Sequence, residues 1–290
     1  AIVVGFMQAY KQHELVKKMC EKSVTSFSVE LIPRISRAQS MDALSSQAAV
    51  AGYKAVLIGA SEQDKFVPML TTAAGTIRPS KYLIIGAGVA GLQAIATAKR
   101  LGAVVEGFDV RSATREQVES LGAKFVDTGI VAEGEGGYAR ELTPEEQQAQ
   151  QEVLDKHIAQ ADVVITTAAV PGRPAPRIVS KAAVEAMQPG AVIVDLGAES
   201  GGNCELTQAG QTVHHNDVAI IGPVNLPASL PRHASEMYAR NLLNFIQPAI
   251  QEGALAIDWE DEVFAGAVLT RDGEIQHEQT REAMQSGGQS

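Results

Sequence analysis

Lys81-Tyr82-Leu83-Ile84-Ile85-Gly86-Ala87-Gly88-Val89-Ala90-Gly91 is the stretch on which the reading of this chain turns. A short apolar run enters a glycine turn, and a helical pattern continues to Leu101. A second apolar run, Ala103 to Phe108, then ends on Asp109. Each part has a physical task. Gly86 permits the tight turn off the strand, Gly88 lets a pyrophosphate approach the backbone, and Gly91 lets the helix pack closely on the sheet. The unpaired N–H groups at the helix N-terminus, around Val89 and Ala90, then face the phosphates. Asp109 lies eighteen residues beyond Gly91, where an acid binds the adenosine ribose hydroxyls. A bare GxGxxG is weak evidence. With strand, helix, strand and terminal acid in order, it predicts a dinucleotide site. A carboxylate at Asp109 would repel a 2′-phosphate, which favours NAD over NADP. Arg111 is open to more than one reading: a phosphate clamp, or more plainly a surface charge or a group stacked over the adenine.

Working outward, 290 residues with 45% apolar and 20% charged content suit a soluble globular chain of one large or two ordinary domains. The net charge of −10 and the scattered basic residues argue against nucleic acid and anionic membrane as direct partners. No apolar run approaches the roughly 20 residues of a membrane-spanning helix. Cys20 and Cys204 are isolated thiols without metal spacing, the six histidines form no metal motif, and no metal is expected. Cys204 reads as a small buried residue, and His214-His215 as a strand edge.

The pattern along the chain alternates. Ala1 to Gly5 reads as a strand, Lys11 to Lys22 as a helix, and Ser26 to Leu31 as a strand. A polar segment from Pro33 to Asp42 follows, then a long Ala- and Ser-rich helix from Met41 to Ile58. Residues 73 to 79 look like a turn-rich approach to the nucleotide strand. Beyond Asp109, helices are expected at Thr114 to Leu121, Pro144 to Gln160, Lys181 to Met187 and His233 to Gln247. Strands are expected at Lys124 to Asp127, Asp162 to Ala169, Ala191 to Leu196 and Val218 to Ile221. Strands that read as continuous apolar runs between helices imply a parallel sheet covered on both faces. The fold class is therefore α/β, a doubly wound Rossmann sheet over 46–239, with a second α/β domain from 1–45 and 240–290. The apolar start without a polar lead-in suggests that this second domain is truncated. The polar tail after Gln276 is expected to fray.

A second concentration of chemistry is Arg34-Ile35-Ser36-Arg37-Ala38-Gln39-Ser40-Met41-Asp42, with Ser45 just beyond. Two arginines, an amide and an acid in nine residues exceed what a linker needs. Arg34 and Asp42 could pair across the loop, and Gln39 could donate to and accept from a carboxamide-bearing ring. The plain alternative is an ion-paired structural corner. The glycine-rich loop from Gly129 to Glu141, with Gly137 and Tyr138, is either a solvated connection or a lid over the nucleotide. No nucleophile–base constellation stands out, and Lys54 and His157 are acid/base candidates only by elimination. Hydride passing between two nicotinamide rings needs no proton transfer at the reacting carbons, only positioning.

The segment RISRAQSMDALSSQAAVAGYKAV, the turn GAGVAGLQAIATAKRLGA, the string FDVRSATREQVESLGAKF and the loop GGYA together resemble one family, the NAD(H)-binding α subunit of proton-translocating NAD(P) transhydrogenase. TTAAVPGRPAP, VIVDLGAESGGNCE and the NLLNF helix extend the likeness through nearly the whole chain. Alanine dehydrogenase is a relative that shares the Rossmann part, and the RISRAQSMD block and GGYA loop separate the two.

The resemblance implies roles by matching position. Arg34, Gln39, Asp42 and Ser45 would form the nicotinamide-side catalytic group, flanked by Ile35, Ser36 and Arg37. The NAD(H) pyrophosphate would lie against Gly86 to Gly91, Val89 and Ala90 included, and Asp109, Val110 and Arg111 would take the adenosine end. Gly137 and Tyr138 would be a lid, while Thr167, Ala168 and Ala169 would line the nicotinamide pocket. Gln150 matches a further position in a less distinctive helix. The implied partners are an NADP(H)-binding domain and a membrane-spanning proton channel. A homodimer, peripheral on the cytoplasmic or matrix face of an energy-transducing membrane, is expected. Family members carry roughly a hundred further residues ahead of the point matched by Ala1, an estimate from domain size.

Overall fold

A computed structural model describes residues 1–130, 143–168 and 174–286. The chain divides into two compact units, 1–47 with 231–290, and 48–230. Strand β1 (Ile2–Gly5), helix α1 (His13–Glu21) and β2 (Thr25–Ser28) open the first unit, and α2 (Ala43–Glu62) leads out of it. The second unit continues with β3 (Leu70–Thr72), β4 (Gly75–Ile77), β5 (Lys81–Ile85), α3 (Val89–Arg100), β6 (Val104–Phe108), α4 (Arg115–Ser120) and β7 (Lys124–Phe125). It is completed by α5 (Pro144–Gln160), β8 (Val163–Thr166), α6 (Lys181–Glu185), β9 (Val192–Asp195), β10 (Thr212–His215) and β11 (Val218–Ile221). The chain returns through α7 (Pro231–Ile246), β12 (Ile250–Gln251), β13 (Ala254–Leu255), α8 (Glu262–Ala267), β14 (Val268–Arg271), β15 (Glu274–Ile275) and α9 (Glu278–Ser286).

The second unit is a doubly wound α/β domain. Its seven strands run in the order β10-β11-β9-β8-β5-β6-β7, all parallel except the edge strand β10. Side-chain alternation along the central strand shows why both faces are covered. Tyr82 and Ile84 enter one apolar cluster with Ala94 and Ile95 of α3. Leu83 and Ile85 enter the other with Leu154 and Ile158 of α5. Each such isoleucine or leucine, fully buried, stabilises the fold by about 1.5–3 kcal/mol relative to exposure. Helix α5 starts where its sequence demands, with Thr143 and Glu146 in a reciprocal capping box and Pro144 in the first turn.

The first unit is a small mixed sheet, β1-β2-β14-β15, with β1 parallel to β2 and the other pairs antiparallel. Its core is aromatic: Phe27, Phe245 and Phe264 meet edge to face, and Trp259 stacks on Phe27. Three expectations need correction here. The strand read as Ser26 to Leu31 stops at Ser28 and turns as a 3-10 helix, Val29–Leu31, because Glu30 folds back to accept the N–H groups of Met7 and Gln8. The segment 73–79 is not wholly turn, since Gly75–Ile77 pairs with Leu70–Thr72 as a hairpin. The tail does not fray at Gln276. Residues Glu278–Ser286 form α9, with Thr280 fully buried and Met284 packed on the cluster of Met7, Val16, Met19 and Leu269.

Candidate functional site

In the second unit the site grows from the end of β5. Gly86 has φ +100°, a left-handed conformation that glycine adopts without strain, and its N–H donates to Phe108 O at 2.7 Å. Gly88 precedes α3 in extended conformation with no side-chain cap, so the first N–H groups of the helix have no such acceptor. A Cβ on Gly88 would meet nothing within 4 Å, which leaves the turn open to a ligand. A Cβ on Gly91 would lie 1.7 Å from Gly86 O. The demand for glycine at 91 thus comes from the turn's own carbonyl rather than from helix–sheet packing.

Asp109 closes this turn from the next strand. Its side chain is only 7% exposed. Oδ2 accepts Ala87 N–H at 2.7 Å and Arg111 Nη2 at 3.1 Å, and Oδ1 accepts Arg111 N–H at 2.9 Å and Nε at 3.0 Å. Burial works against the charge, but the Arg111 side chain and the N–H groups of Arg111 and Ala87 outweigh it and hold the carboxyl below its ordinary range. Arg111 is half exposed with its charge paired to Asp109, and Val110 is exposed. On the other side of β5, Thr167 Oγ1 donates to Gly86 O at 3.1 Å. The turn, Asp109 and Thr167-Ala168 are therefore joined at the C-terminal ends of β6, β5 and β8. That is where strand order reverses, the usual position of a ligand crevice in such sheets.

The first unit holds the other polar group. Ser36–Met41 is a 3-10 helix whose Ala38 and Met41 are buried in the aromatic core. Arg34 and Gln39 are exposed and, with Glu30, Pro33, Asp42 and Leu44, line one small pocket. The Arg34–Asp42 pair does not form. Asp42 instead caps α2, accepting Ser45 N–H at 2.8 Å and Ser45 Oγ–H at 2.6 Å, because free N–H groups at a helix start compete for the nearest carboxylate. Arg34 has no ion pair among the described residues. Arg37 points to a structural partner: it pairs with Asp261 at 2.6 Å and reaches Glu262 at 3.5 Å, and its hydrogen bond holds the Asp261 carboxyl below the usual range. Ile35 is half-buried and Ser36 exposed.

Residues 55–278 match the family described as alanine dehydrogenase/PNT, C-terminal domain, and residues 1–51 match its N-terminal domain. The chain belongs to this family. Within it the likeness to transhydrogenases is the stronger. The first portion of the NAD(P) transhydrogenase subunit alpha of Rhodospirillum rubrum is 47% identical over 96% of this chain and 74% of its own length. The transhydrogenase subunit alpha of Haemophilus influenzae is 44% identical over 94% of this chain, which spans 54% of that longer protein. A crystal structure of transhydrogenase from Sinorhizobium meliloti superposes with a TM-score of 0.86 and 46% identity, over 95% of this chain and 75% of that one. Alanine dehydrogenase 1 of Staphylococcus aureus is further off, 27% identical over 94% of this chain and 71% of its own length.

In this member of the alanine dehydrogenase/PNT family, Gln150 is half-buried on α5, and Gly137, Tyr138 and Ala169 lie outside the described residues. His157 is engaged with Glu106 at 2.6 Å, and Cys204 is buried, which pushes its thiol up. Two supporting residues were missed in the sequence. Asp195, fully buried, accepts Thr166 Oγ–H, Gly197 N–H, Cys204 N–H and Thr207 Oγ–H within 3.0 Å. Asn203, also buried, donates to Ala168 O and Pro176 O, both at 2.8 Å. The signal was present for Asp195, an acid ending the apolar run Val192–Asp195 as Asp109 ends its own.

Proposed function

We propose that this chain is the NAD(H)-binding α subunit of a proton-translocating NAD(P) transhydrogenase. What carries the reading is identity of 44–47% to transhydrogenase α subunits across nearly the whole chain. The site chemistry supports it. The open Gly88 turn and the α3 N-terminus suit a pyrophosphate, and the ionised Asp109 suits a ribose diol and repels a 2′-phosphate. Thr167 and Ala168 are assigned to the nicotinamide end of the Rossmann unit. Arg34, Gln39, Asp42 and Ser45 are assigned to the reacting end, where the Gln39 amide orients the carboxamide and Asp42 with Ser45 fixes the start of α2. Bound NADH supplies the hydride. The residues supply position, since transfer between two rings moves no proton at the reacting carbons.

The acceptor is NADP+ on a separate NADP-binding domain, and a membrane-spanning component couples transfer to proton movement. Among the described residues no helix is long and apolar enough to cross a membrane. In this reading the subunit is peripheral, on the cytoplasmic or matrix face, and a homodimer. Mixing the chain with an NADP-binding transhydrogenase component and following hydride transfer from NADH to an NADP analogue of shifted absorbance tests the reading. Transfer that needs both proteins supports it. Reduction of pyruvate with ammonia by the chain alone would replace it with alanine dehydrogenation, and NADH binding with neither activity would leave a binding module.

A further inference from the structure

Asn241-Leu242-Leu243-Asn244-Phe245 has no role in the site described above, yet its two amides converge on one atom of it. Asn241 Nδ2 donates to Ser40 O at 2.9 Å, and Asn244 Nδ2 donates to the same carbonyl at 3.0 Å. Spacing of three puts both side chains on one face of α7. Asn241 is 8% exposed, and its Oδ1 accepts Ser46 Oγ–H at 2.7 Å. Gln47 Nε2 in turn donates to Ala234 O, also on α7, at 3.1 Å. Phe245 anchors the helix beneath, edge on to Phe27 and Phe264.

A carbonyl oxygen has two lone pairs, and both at Ser40 are taken by amides about 200 residues away in sequence. That fixes the Ser40–Met41 peptide plane, one residue beyond Gln39. Gln39 O itself accepts Asp42 N–H at 3.3 Å, so the backbone on its C-terminal side is held from two directions. Ordinary 3-10 turns need no such clamp, and a buried amide is costly unless it is well paired. We infer that Asn241 and Asn244 are positioning residues that lock the Ser40 carbonyl and thereby set the aim of the Gln39 amide during hydride transfer. This rests on the role given to Gln39 above. Hydride transfer is the step that feels an error in aim of an ångström or less, whereas NADH binding does not.

The test is a double-mutant cycle on transfer rate. N244A, N241A/N244A, Q39A and the triple variant are each assayed for NADH affinity and for transfer with the NADP-binding component. N244A is expected to slow transfer a few-fold and N241A/N244A about tenfold, with NADH affinity kept within about threefold. In the Q39A background, removing the two amides is expected to cost less than about twofold, because the group they aim is gone. Equal slowing with and without Gln39 would overturn the inference, as would parental transfer by N241A/N244A. Should the double variant fail to fold, N244A, which removes one hydrogen bond from a half-buried site, carries the same cycle with Q39A. If Q39A transfers at the parental rate, the role of Gln39 itself falls. If Q39A is slow and the asparagine variants are not, only the clamp falls.

Discussion

Asp109 and Gln39 differ in how the fold holds them, and that difference predicts how they fail. Asp109 is tied to Arg111 and to Ala87 N–H, so its charge is built into the turn. Asp109→Asn keeps the shape and removes the charge that pairs with Arg111. The expected result is NADH affinity weaker by about tenfold together with a smaller preference against NADPH, since an unpaired guanidinium can meet a 2′-phosphate. Titrations of both nucleotides check this, and an unchanged NADH/NADPH ratio would mean the ribose is held elsewhere. Because the folded carboxyl sits below its ordinary range, the contacts it makes persist through mild acid and fail only as pH falls through that lowered value. Gln39, by contrast, is exposed and free to act on a ligand. Gln39→Ala is expected to leave NADH affinity within a few-fold and to slow transfer strongly, because an amide that orients a ring contributes geometry more than binding energy. A large loss of affinity with normal transfer would sink that role.

Among the elements, α2 does more than its composition suggested. Read as an Ala- and Ser-rich connecting helix, it crosses the start of α3 so closely that a Cβ on Gly52 would lie 2.0 Å from Ala90 O. Ala90 is in the first turn of the helix whose N-terminus is proposed above to hold the pyrophosphate. Gly52→Ala should therefore push that turn aside, destabilise the second unit by about 1–3 kcal/mol and weaken NADH binding. A urea midpoint and an affinity that both match the parent would remove the crossing from the argument. The βαβ unit was readable because each strand is one uninterrupted apolar run and each glycine has a local task. The corner at Arg34 to Ser45 was readable as chemistry but not as structure. Its 3-10 turn has no periodicity, and the groups that hold it, Asn241, Asn244 and Asp261, come from about 200 residues on. Strand β14 was missed for the same reason: four residues carry little pattern, and its partner β2 is over two hundred residues away.

On the scale of the whole chain, its first and last segments fold on each other. Val16 and Met19 of α1 pack with Leu269 and Met284, and Tyr10 meets the edge of His277 at 5.8 Å. His277 starts α9: its Nδ1 accepts Thr280 N–H at 3.3 Å and lies 2.8 Å from Thr280 Oγ1. Only the imidazole with a bare Nδ1 can do this, and burial lowers its pKa from the ordinary value of 6.5. The unfolded chain therefore takes up the proton at a higher pH than the fold does. The contribution of this cap is fully present above about pH 6.5 and is lost as pH falls through that value toward the lower folded one. The single tryptophan, Trp259, lies in the first unit against Phe27 with Arg271 over its ring at 3.9 Å, so its fluorescence reports that unit alone. Melting followed at Trp259 should fall in temperature between about pH 7 and pH 5. His277→Asn, which can still cap but cannot titrate, should flatten that slope relative to the parent. Because His13 and His233 remain in both proteins, the difference between the two slopes belongs to His277. If the slopes coincide, the acid sensitivity of the first unit arises elsewhere and the capping role of His277 has no hold on its stability.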